Sequence, residues 1–380
     1  MSPTPVTFTP LAPPTAYAWE ATDEEVAARY GVPIDRIARF DLNTSPTPPA
    51  VADQRLARGA FETGLSEYPP ADYRLLIEAA ARRYGVTPEN LLVGAGADEV
   101  LDIAAKAFLP AGGVAIIPIP SYAMFRVLSE QREAVVRAVP RLGPADGYAI
   151  DLDATRAAAQ GASLVWLCSP NNPTALSEPE GAMVSLLEGL ASDAAANSLR
   201  PPAVVLDEAY AEFAGHSLVG LRRDYARLVP VRTLSKAYGL AGLRVGFAIA
   251  DPATIAEMAP YRPPGSVSVV SVSVATAALE DDGAIDRNLE RVVGERARVV
   301  TALSEVGWSI GPSVTNFVLA SLGSAERAAA VAESLLRRGL VPRTFGPTHP
   351  LADHLRLTIR DATQNDRLIA AAIEIEEGRT

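Results

Sequence analysis

The stretch Val231-Arg232-Thr233-Leu234-Ser235-Lys236-Ala237-Tyr238-Gly239-Leu240-Ala241-Gly242-Leu243-Arg244 decides the fold. Its first part, Val231–Leu234, is a short run with an apolar residue at each end, and a hydroxyl, an amine and two glycines follow it. Such a run before a small-residue turn is typical of a strand that is buried on both faces of a parallel sheet. The polar groups behind it therefore lie at the carboxyl end of a strand, where open α/β sheets bind their ligands.

Lys236 stands out because the chain hardly uses lysine. Of 34 basic residues only Lys106 and Lys236 are lysines. Arginine replaces lysine in most surface roles, but its delocalised guanidinium is a very poor nucleophile for an aldehyde. Lys106 lies in an amphipathic helical pattern and is expected to be solvated. Lys236 is therefore the candidate imine-forming amine.

Further apolar runs on both sides of this stretch alternate with helical patterns, among them Ala97–Phe108 and Glu180–Ala196. The runs predicted as strands are Leu91–Val93, Val114–Ile117, Ala134–Ala138, Leu164–Leu167, Val204–Leu206 and Val245–Ile249. Runs of this kind, separated by helices, predict an α/β fold with a mostly parallel sheet and helices on both faces.

A proline-rich break, Tyr261–Gly265, precedes a second pattern. A long helical region is predicted over 269–305, and strands and helices alternate after it. The predicted elements are the strands Thr315–Ala320 and Leu355–Ile359 and the helices Ala325–Arg338 and Thr363–Glu376. This pattern predicts a smaller α+β domain. We expect a large domain over 41–262, and a small domain built from 1–40 and 263–380 with an N-terminal arm.

Polar residues recur at the predicted strand ends. The turn Gly94–Glu99 opens a helix whose free N–H groups could receive a phosphate, and the ring of Tyr122 could stack on a flat cofactor. Asn171 and Asn172 form a turn between two prolines, from which their amides are expected to point outward. Asp207 follows a buried apolar strand, where a carboxylate is costly unless it has a partner such as a protonated ring nitrogen. Each motif also has an ordinary structural explanation, as a turn, a packed tyrosine or a helix cap.

Composition excludes several classes of function. The net charge of −11 argues against a nucleic-acid partner, which usually needs a basic face. The single cysteine, Cys168, allows no internal disulfide, and the three histidines lack metal-ligand spacing, so no metal site is expected. No signal peptide and no apolar run long enough for a membrane span is found. The expected location is the cytoplasm.

Taken together, these motifs resemble the fold-type-I pyridoxal-phosphate aminotransferases, and most closely the histidinol-phosphate aminotransferase branch, from about Asp41 to Arg360. The pieces that carry the resemblance are Gly96-Ala97-Asp98-Glu99, Ser169-Pro170-Asn171-Asn172-Pro173-Thr174, Asp207-Glu208-Ala209-Tyr210-Ala211-Glu212-Phe213, Ser235-Lys236-Ala237-Tyr238-Gly239-Leu240-Ala241-Gly242-Leu243-Arg244-Val245-Gly246 and Leu355-Arg356-Leu357-Thr358.

The resemblance implies pyridoxal 5'-phosphate as the cofactor. Lys236 would hold it as a Schiff base and carry the proton, and Tyr122 would stack on its ring. The other cofactor contacts that the resemblance implies are Ala97, Asp98, Ser235 and Arg244 for the phosphate, Asn172 and Tyr210 for the ring hydroxyl, and Asp207 for the ring nitrogen.

The resemblance also implies substrate contacts and a partner. Arg356 would hold the acidic group of the substrate and Arg343 would be a second such arginine, with Tyr17 and Tyr68 as further substrate contacts. Tyr68, in Tyr68-Pro69-Pro70, matches a tyrosine that reaches into the partner subunit's site, so a homodimer is expected.

The reaction that follows from the resemblance is amino-group transfer between a primary amine or amino acid and a 2-oxo acid such as 2-oxoglutarate, with histidinol phosphate as the favoured donor. Alternatives are a phosphothreonine decarboxylase, an oxidase, an aromatic amino acid aminotransferase, or a cofactor-binding protein without turnover. Three departures from the family pattern fall near the expected substrate pocket: Ala175 and Arg360, where glycine is usual, and Asn43-Thr44-Ser45-Pro46 in place of Asn-Glu-Asn-Pro.

Overall fold

A seven-stranded sheet forms the centre of the molecule. The computed structural model describes residues 16–59, 61 and 63–378. The sheet's strands, in spatial order, are Leu91–Gly94, Gly246–Ile249, Leu228–Thr233, Ala203–Asp207, Leu164–Cys168, Val114–Ile119 and Val135–Pro140. Only Gly246–Ile249 runs antiparallel to its neighbours within this sheet. The predicted α/β class with a mostly parallel sheet is confirmed.

Both faces of the sheet are covered, which explains why its strands read as continuous apolar runs. On the central strand, Val205 packs into one core with the helix Gly96–Phe108, whereas Val204 and Leu206 pack into another with the helix Glu180–Ala196. Side chains alternate between the faces of a strand, so a strand covered on both sides needs apolar residues at every position.

The helices within the described residues have the following bounds: Asp23–Tyr30, Ala50–Arg58, Arg74–Tyr84, Gly96–Phe108, Met124–Gln131, Leu152–Ala158, Glu180–Ala196, Ala211–Ala214, Pro252–Met258, Val269–Glu280, Asp286–Glu305, Ala325–Leu336 and Ala362–Glu376. None of them is long and apolar enough to cross a membrane.

A second body of structure surrounds a small antiparallel sheet. Its strands, in spatial order, are His354–Thr358, Phe317–Ser321 and Ser309–Ile310. Beside it, Ala38–Arg39 pairs in parallel with Leu340–Val341, which brings the segment before the large sheet into contact with the part of the chain that follows that sheet. The core of this part contains Trp308 and the inner faces of the last two helices. The predicted smaller α+β unit is present.

The helical region predicted over 269–305 is two helices rather than one. Val269–Glu280 ends at a turn in which the backbone N–H of Gly283 donates to the Asp281 carboxylate, and Asp286–Glu305 follows. The first of these helices packs into the same core as Phe247 of the large sheet. The domain boundaries at 40/41 and 262/263 stay a prediction.

We predict that a loss of side-chain volume on the central strand destabilises the folded protein. Leu206 is fully buried beside Asp207, so Leu206→Ala should lower the free energy of unfolding by about 2–5 kcal/mol through lost burial and a residual cavity. Leu199→Ala is the control, because 53% of that leucine is exposed. Urea unfolding of both variants checks this, and equal midpoints would contradict the packing described.

Candidate active site

A cavity of about 660 Å³ opens at the carboxyl ends of the large sheet's strands. It brings together most of the residues that the sequence singled out: Tyr17, Ala97, Asp98, Tyr122, Asn172, Asp207, Tyr210, Ser235, Lys236, Arg244 and Arg356. These residues come from distant points of the chain and meet because parallel strands end at one edge of the sheet. Arg343 and Tyr68 do not line this cavity.

Lys236 is half-buried in the cavity wall. Its Nζ donates to the Leu42 carbonyl oxygen at 3.2 Å and lies 5.7 Å from the centre of the Tyr210 ring. Burial, followed by the nearby Arg356 guanidinium, lowers the pKa of Lys236 to about 8. At pH 7 roughly a tenth of this amine is therefore unprotonated and nucleophilic, which is far more than in an ordinary lysine.

Asp207 is the last residue of the central strand and is 4% exposed. One carboxylate oxygen accepts the backbone N–H of Ala209 at 2.9 Å, which is the cap-like role that the alternative interpretation gave it. Burial nevertheless raises the pKa of Asp207 to about 7. A buried carboxylate in its ionised form is stabilised by a cationic partner, and a protonated ring nitrogen in the cavity would be such a partner.

Tyr210 is fixed by a residue whose role the sequence did not reveal. The Asn43 amide nitrogen donates to the Tyr210 hydroxyl at 3.0 Å, while the Asn43 backbone N–H donates to Thr358 at 2.9 Å. Because the phenol oxygen accepts this bond, its own proton is directed toward another acceptor. Asn43 has a left-handed backbone (φ 53°), which asparagine tolerates better than most residues. From the sequence alone, the motif Asn43–Pro46 indicated only a departure from the family pattern.

The start of the helix Gly96–Phe108 forms a cradle for an anion. The cap residue Ala95 offers this helix no side-chain acceptor, and its own N–H donates to the Glu99 carboxylate at 2.6 Å. The N–H groups of Gly96, Ala97 and Asp98 have no side-chain acceptor among the described residues. Arg244 lies against it: a Cβ on Gly96 would come within 2.6 Å of the Arg244 guanidinium. A Cβ on Gly246 would lie 2.5 Å from the backbone of Ala97, so glycine is required at both positions. Free helix N–H groups beside a guanidinium suit a phosphate.

Arg356 is buried, and no carboxylate lies within ion-pair distance of it in the described part of the chain. Its guanidinium donates to the Asn172 side-chain oxygen at 2.6 Å and to the Asp41 carbonyl, and its Nε has no partner among the described residues. Burial lowers the pKa of Arg356. A buried cation without a counter-ion is costly, so this arrangement favours an anionic ligand in the cavity.

Two turn residues differ in orientation. Asn172 lines the cavity, whereas Asn171 is fully buried and its amide donates to the Pro120 carbonyl and the Thr174 hydroxyl. The prediction that both amides point outward is therefore wrong for Asn171, because its amide ties the turn to the Pro120 carbonyl and to the Thr174 hydroxyl. The hydroxyl of Tyr122 donates to Asp98 at 2.9 Å, which leaves its ring against the cavity.

Arg343 lines a smaller adjoining cavity of about 130 Å³, which shares Tyr17, Tyr122, Asn172 and Arg356 with the main one. Its side chain is 17% exposed, so it is not the solvated surface residue that the alternative interpretation described. Thr344, which the sequence analysis did not single out, lines the same cavity. Tyr68 is 88% exposed and lies outside both cavities.

Ala175 and Arg360 stand where glycine is usual in the resembling family. Ala175 has a left-handed backbone (φ 69°), which costs a residue with a Cβ about 1–2 kcal/mol and explains the usual glycine. It is fully buried in one cluster with Tyr210 and Phe317, so its methyl group supports the site. Arg360 donates to the Thr44 hydroxyl at 3.2 Å and to Gln364 at 2.6 Å.

Comparison with known proteins yields one family. Residues 39–372 match the family described as aminotransferase class I and II. A histidinol-phosphate aminotransferase of Symbiobacterium thermophilum is 36% identical over 331 residues, 86% of this chain and of the relative, and one of Roseiflexus castenholzii is 32% identical over 93% of each. The solved histidinol-phosphate aminotransferase of Sinorhizobium meliloti, in complex with pyridoxal-5'-phosphate, superposes with a TM-score of 0.84 at 26% identity over 96% of each chain.

We predict that the charge of Lys236 responds to two neighbours in opposite directions. In the cofactor-free protein, reductive methylation of Lys236 should have its midpoint near its pKa of about 8. Asp207→Asn should lower this midpoint, because the carboxylate favours the ammonium form, and Arg356→Gln should raise it, because a repelling cation is removed.

Peptide mass mapping across the neutral to alkaline range measures these midpoints. Lys106 forms an ion pair with Asp102 toward the far end of the helix Gly96–Phe108. It is the internal reference and should not respond to either change. Shifts of the same sign in both variants would contradict the electrostatic description of the site.

Proposed function

The chain belongs to the class I and II aminotransferases, and we propose that it moves an amino group from a phosphorylated primary amine, histidinol phosphate, to a 2-oxo acid such as 2-oxoglutarate, with pyridoxal 5'-phosphate as cofactor. The observation that carries this proposal is the meeting of Lys236, Asp207 and an uncapped helix start in one cavity. An amine, a buried carboxylate and an anion cradle are the three features that an aldehyde-bearing pyridinium phosphate requires.

The residues present fit this cofactor. Ala97 and Asp98 at the helix start, with Ser235 and Arg244, would hold its phosphate, and Tyr122 would lie on its ring. Asn172 and Tyr210 would bind the ring hydroxyl, Asp207 the ring nitrogen and Lys236 the aldehyde carbon. When bound, pyridoxal phosphate supplies the electron-withdrawing ring on which amino-group transfer depends.

The side chains of this chain would do the remaining work. The Lys236 amine, with a pKa of about 8, is suited to take and return a proton near neutral pH. The Asp207 carboxylate would keep a positive charge on the ring nitrogen. Tyr210, whose oxygen already accepts from Asn43, would present its own proton to the ring hydroxyl oxygen.

The two arginines support two anionic substrates, a 2-oxo acid with a carboxylate and a donor with a phosphate. Arg356 would hold the carboxylate of the 2-oxo acid, because its buried guanidinium has no carboxylate partner among the described residues. Arg343, in the adjoining cavity, would give the phosphate of the donor a second fork of N–H groups. The names of the curated relatives support the same donor. We also propose a place in amino-acid biosynthesis and a cytoplasmic location.

We predict that Arg343 distinguishes phosphorylated from plain donors. Arg343→Ala should reduce kcat/KM for histidinol phosphate about ten- to a hundredfold, as expected for loss of hydrogen bonds to a charged group, and should affect an unphosphorylated amino acid less. Steady-state rates with 2-oxoglutarate measure this. The control is Arg337→Ala, because that guanidinium is 65% exposed and pairs with Glu333.

Lys236→Arg tests the reaction itself and should abolish turnover while the fold remains.

Equal losses for both donors in Arg343→Ala would exclude Arg343 as the phosphate contact, and an aromatic amino acid would become the better donor. Carbon dioxide released from phosphothreonine without consumption of 2-oxoglutarate would favour the decarboxylase alternative.

We also propose a homodimer in which Tyr68 completes the partner subunit's site. The proposal rests on the resemblance and on the exposure of Tyr68 (88%) beside Leu65 (73%), because large side chains exposed together mark contact surfaces. Tyr68 does not line the cavity of its own subunit. A contribution to the partner subunit's site would explain this position.

We predict that two inactive variants complement each other. Tyr68→Ala and Lys236→Ala subunits, when mixed and allowed to exchange, should recover about a quarter of wild-type activity, because half of the dimers carry one complete site. Each variant alone is the control. Failure to recover activity after exchange has been demonstrated by mass spectrometry would place Tyr68 outside the partner's site.

A further inference from the structure

The adjoining cavity is lined by a histidine, His349, whose ring is held from one edge and from one face. Its Nδ1 accepts the backbone N–H of Leu351 at 3.1 Å. The ring stacks on Phe345 with 4.9 Å between the ring centres and 20° between the planes. The backbone N–H of His349 donates to the Gly346 carbonyl at 2.9 Å and closes the turn that carries the ring. The ring therefore has one defined orientation at the cavity.

These contacts determine which nitrogen of His349 can meet a ligand. A neutral imidazole has one nitrogen that donates and one that accepts, and Nδ1 is the acceptor here because Leu351 donates to it. The proton therefore lies on Nε2. No group among the residues that the structure describes accepts from Nε2, so its N–H is available to a ligand in the cavity.

The adjoining cavity offers several donors to an anion. Arg343 and Arg356 line it with His349, and no carboxylate lines it within the described ranges. The Glu20 carboxylate lies 3.7 Å from Arg343 but is not part of the cavity lining. A phosphate presents three acceptor oxygens and can accept from several of these donors at once. A neutral donor suits this place, because a third cation would repel the two guanidiniums whenever the cavity holds no anion.

We propose that His349 binds the phosphate group of the amino donor, to which Nε2 donates from a neutral ring. The inference rests on the proposed function in taking a phosphorylated donor to enter this cavity beside Arg343. His349 adds a contact that a plain amino acid cannot use, so it contributes to the selection of phosphorylated donors. The competing explanation is that the ring only supports the turn through Phe345 and Leu351, and it predicts the same effect on every donor.

The surroundings of His349 keep its ring neutral. Burial, followed by Arg343 and then by His354, lowers the pKa of His349. Protonation would also put a hydrogen on Nδ1, where it would face the N–H of Leu351. The charged and titratable groups near the ring are Arg343, His354 with its partner Asp353, and, in the cavity, Tyr17, Tyr122 and Arg356. A bound dianion opposes the effect of the neighbouring cations, so it should raise the pKa of His349.

Two substitutions separate a ligand contact from support of the turn. His349→Phe keeps a flat ring against Phe345 and removes the N–H, whereas His349→Gln keeps an N–H donor on a flexible side chain. With histidinol phosphate and 2-oxoglutarate, His349→Phe should raise KM about tenfold with kcat nearly unchanged, as expected for one lost hydrogen bond to a charged group. His349→Gln should recover part of this loss. The KM for histidinol, which lacks the phosphate, should not change.

The control is His216→Phe, because His216 is exposed and lies outside both cavities. This variant should keep the KM of the wild type for both donors. An unchanged KM for histidinol phosphate in His349→Phe, or equal increases for both donors, would overturn the inference.

A second measurement needs no turnover and uses the imidazole NMR signals of the holoenzyme, in which the cofactor fills the helix cradle. The chain has three histidines, and the signal that is lost in His349→Phe belongs to His349. Inorganic sulfate is the probe, because it keeps two negative charges throughout the titration of a histidine. Sulfate should raise the pKa of His349 by at least about half a unit and should not change that of His216. If sulfate leaves the pKa of His349 unchanged or lowers it, the inference is wrong.

The two measurements also distinguish this inference from the proposed function. A holoenzyme in which sulfate raises the pKa of His349, but which transfers no amino group, would refute the proposed function alone. Amino-group transfer from histidinol phosphate with an unchanged KM in His349→Phe would refute this inference alone.

Discussion

The site depends on the cost of removing charges from water at the carboxyl edge of the large sheet. Burial pushes the pKa of Asp207 up to about 7 and the pKa of Lys236 down to about 8, so that both groups change charge near neutral pH. Neither shift requires strained geometry; each follows from the position of the group at the end of a strand that is covered on both faces. The large sheet thus provides an acid and a base, and the small sheet provides Arg356, a cation without a carboxylate partner among the described residues. A ligand with complementary charges relieves all three at once.

The segment Asp41–Thr44 joins the large sheet to the small one at this point. Its carbonyl groups accept from Lys236 and Arg356, and Asn43 contacts both Tyr210 and Thr358. One backbone stretch therefore sets the position of the amine, the guanidinium and the phenol relative to each other. A displacement of the small sheet would change all three contacts together, which makes the chemistry sensitive to how the two parts of the chain are packed.

The strand ends, and the cofactor-facing residues that follow them, could be predicted from sequence because each belongs to a local pattern: an apolar run, then a polar or small residue. Asn43 and Thr344 could not, because their roles come from contacts across more than 160 positions of chain or from a carboxylate on a segment before the first helix. The inward turn of Asn171 was mispredicted for a similar reason. Its amide completes a hydrogen-bonded turn with Pro120, fifty-one positions away, and no local pattern records that partner.

Arg360 bears on which part of the site selects the substrate. From sequence, this arginine in place of glycine was expected to lie near the substrate pocket. In the structure its guanidinium is held by the Thr44 hydroxyl and Gln364, and burial lowers its pKa. The two departures from the family pattern at positions 44 and 360 therefore contact each other and are structurally coupled. Arg360 lines neither cavity, whereas Arg356 and Arg343 do. Arg356 has no carboxylate partner among the described residues, whereas Arg343 lies 3.7 Å from the Glu20 carboxylate. The two guanidiniums that face the cavities therefore differ in how much of their charge remains for an anionic ligand.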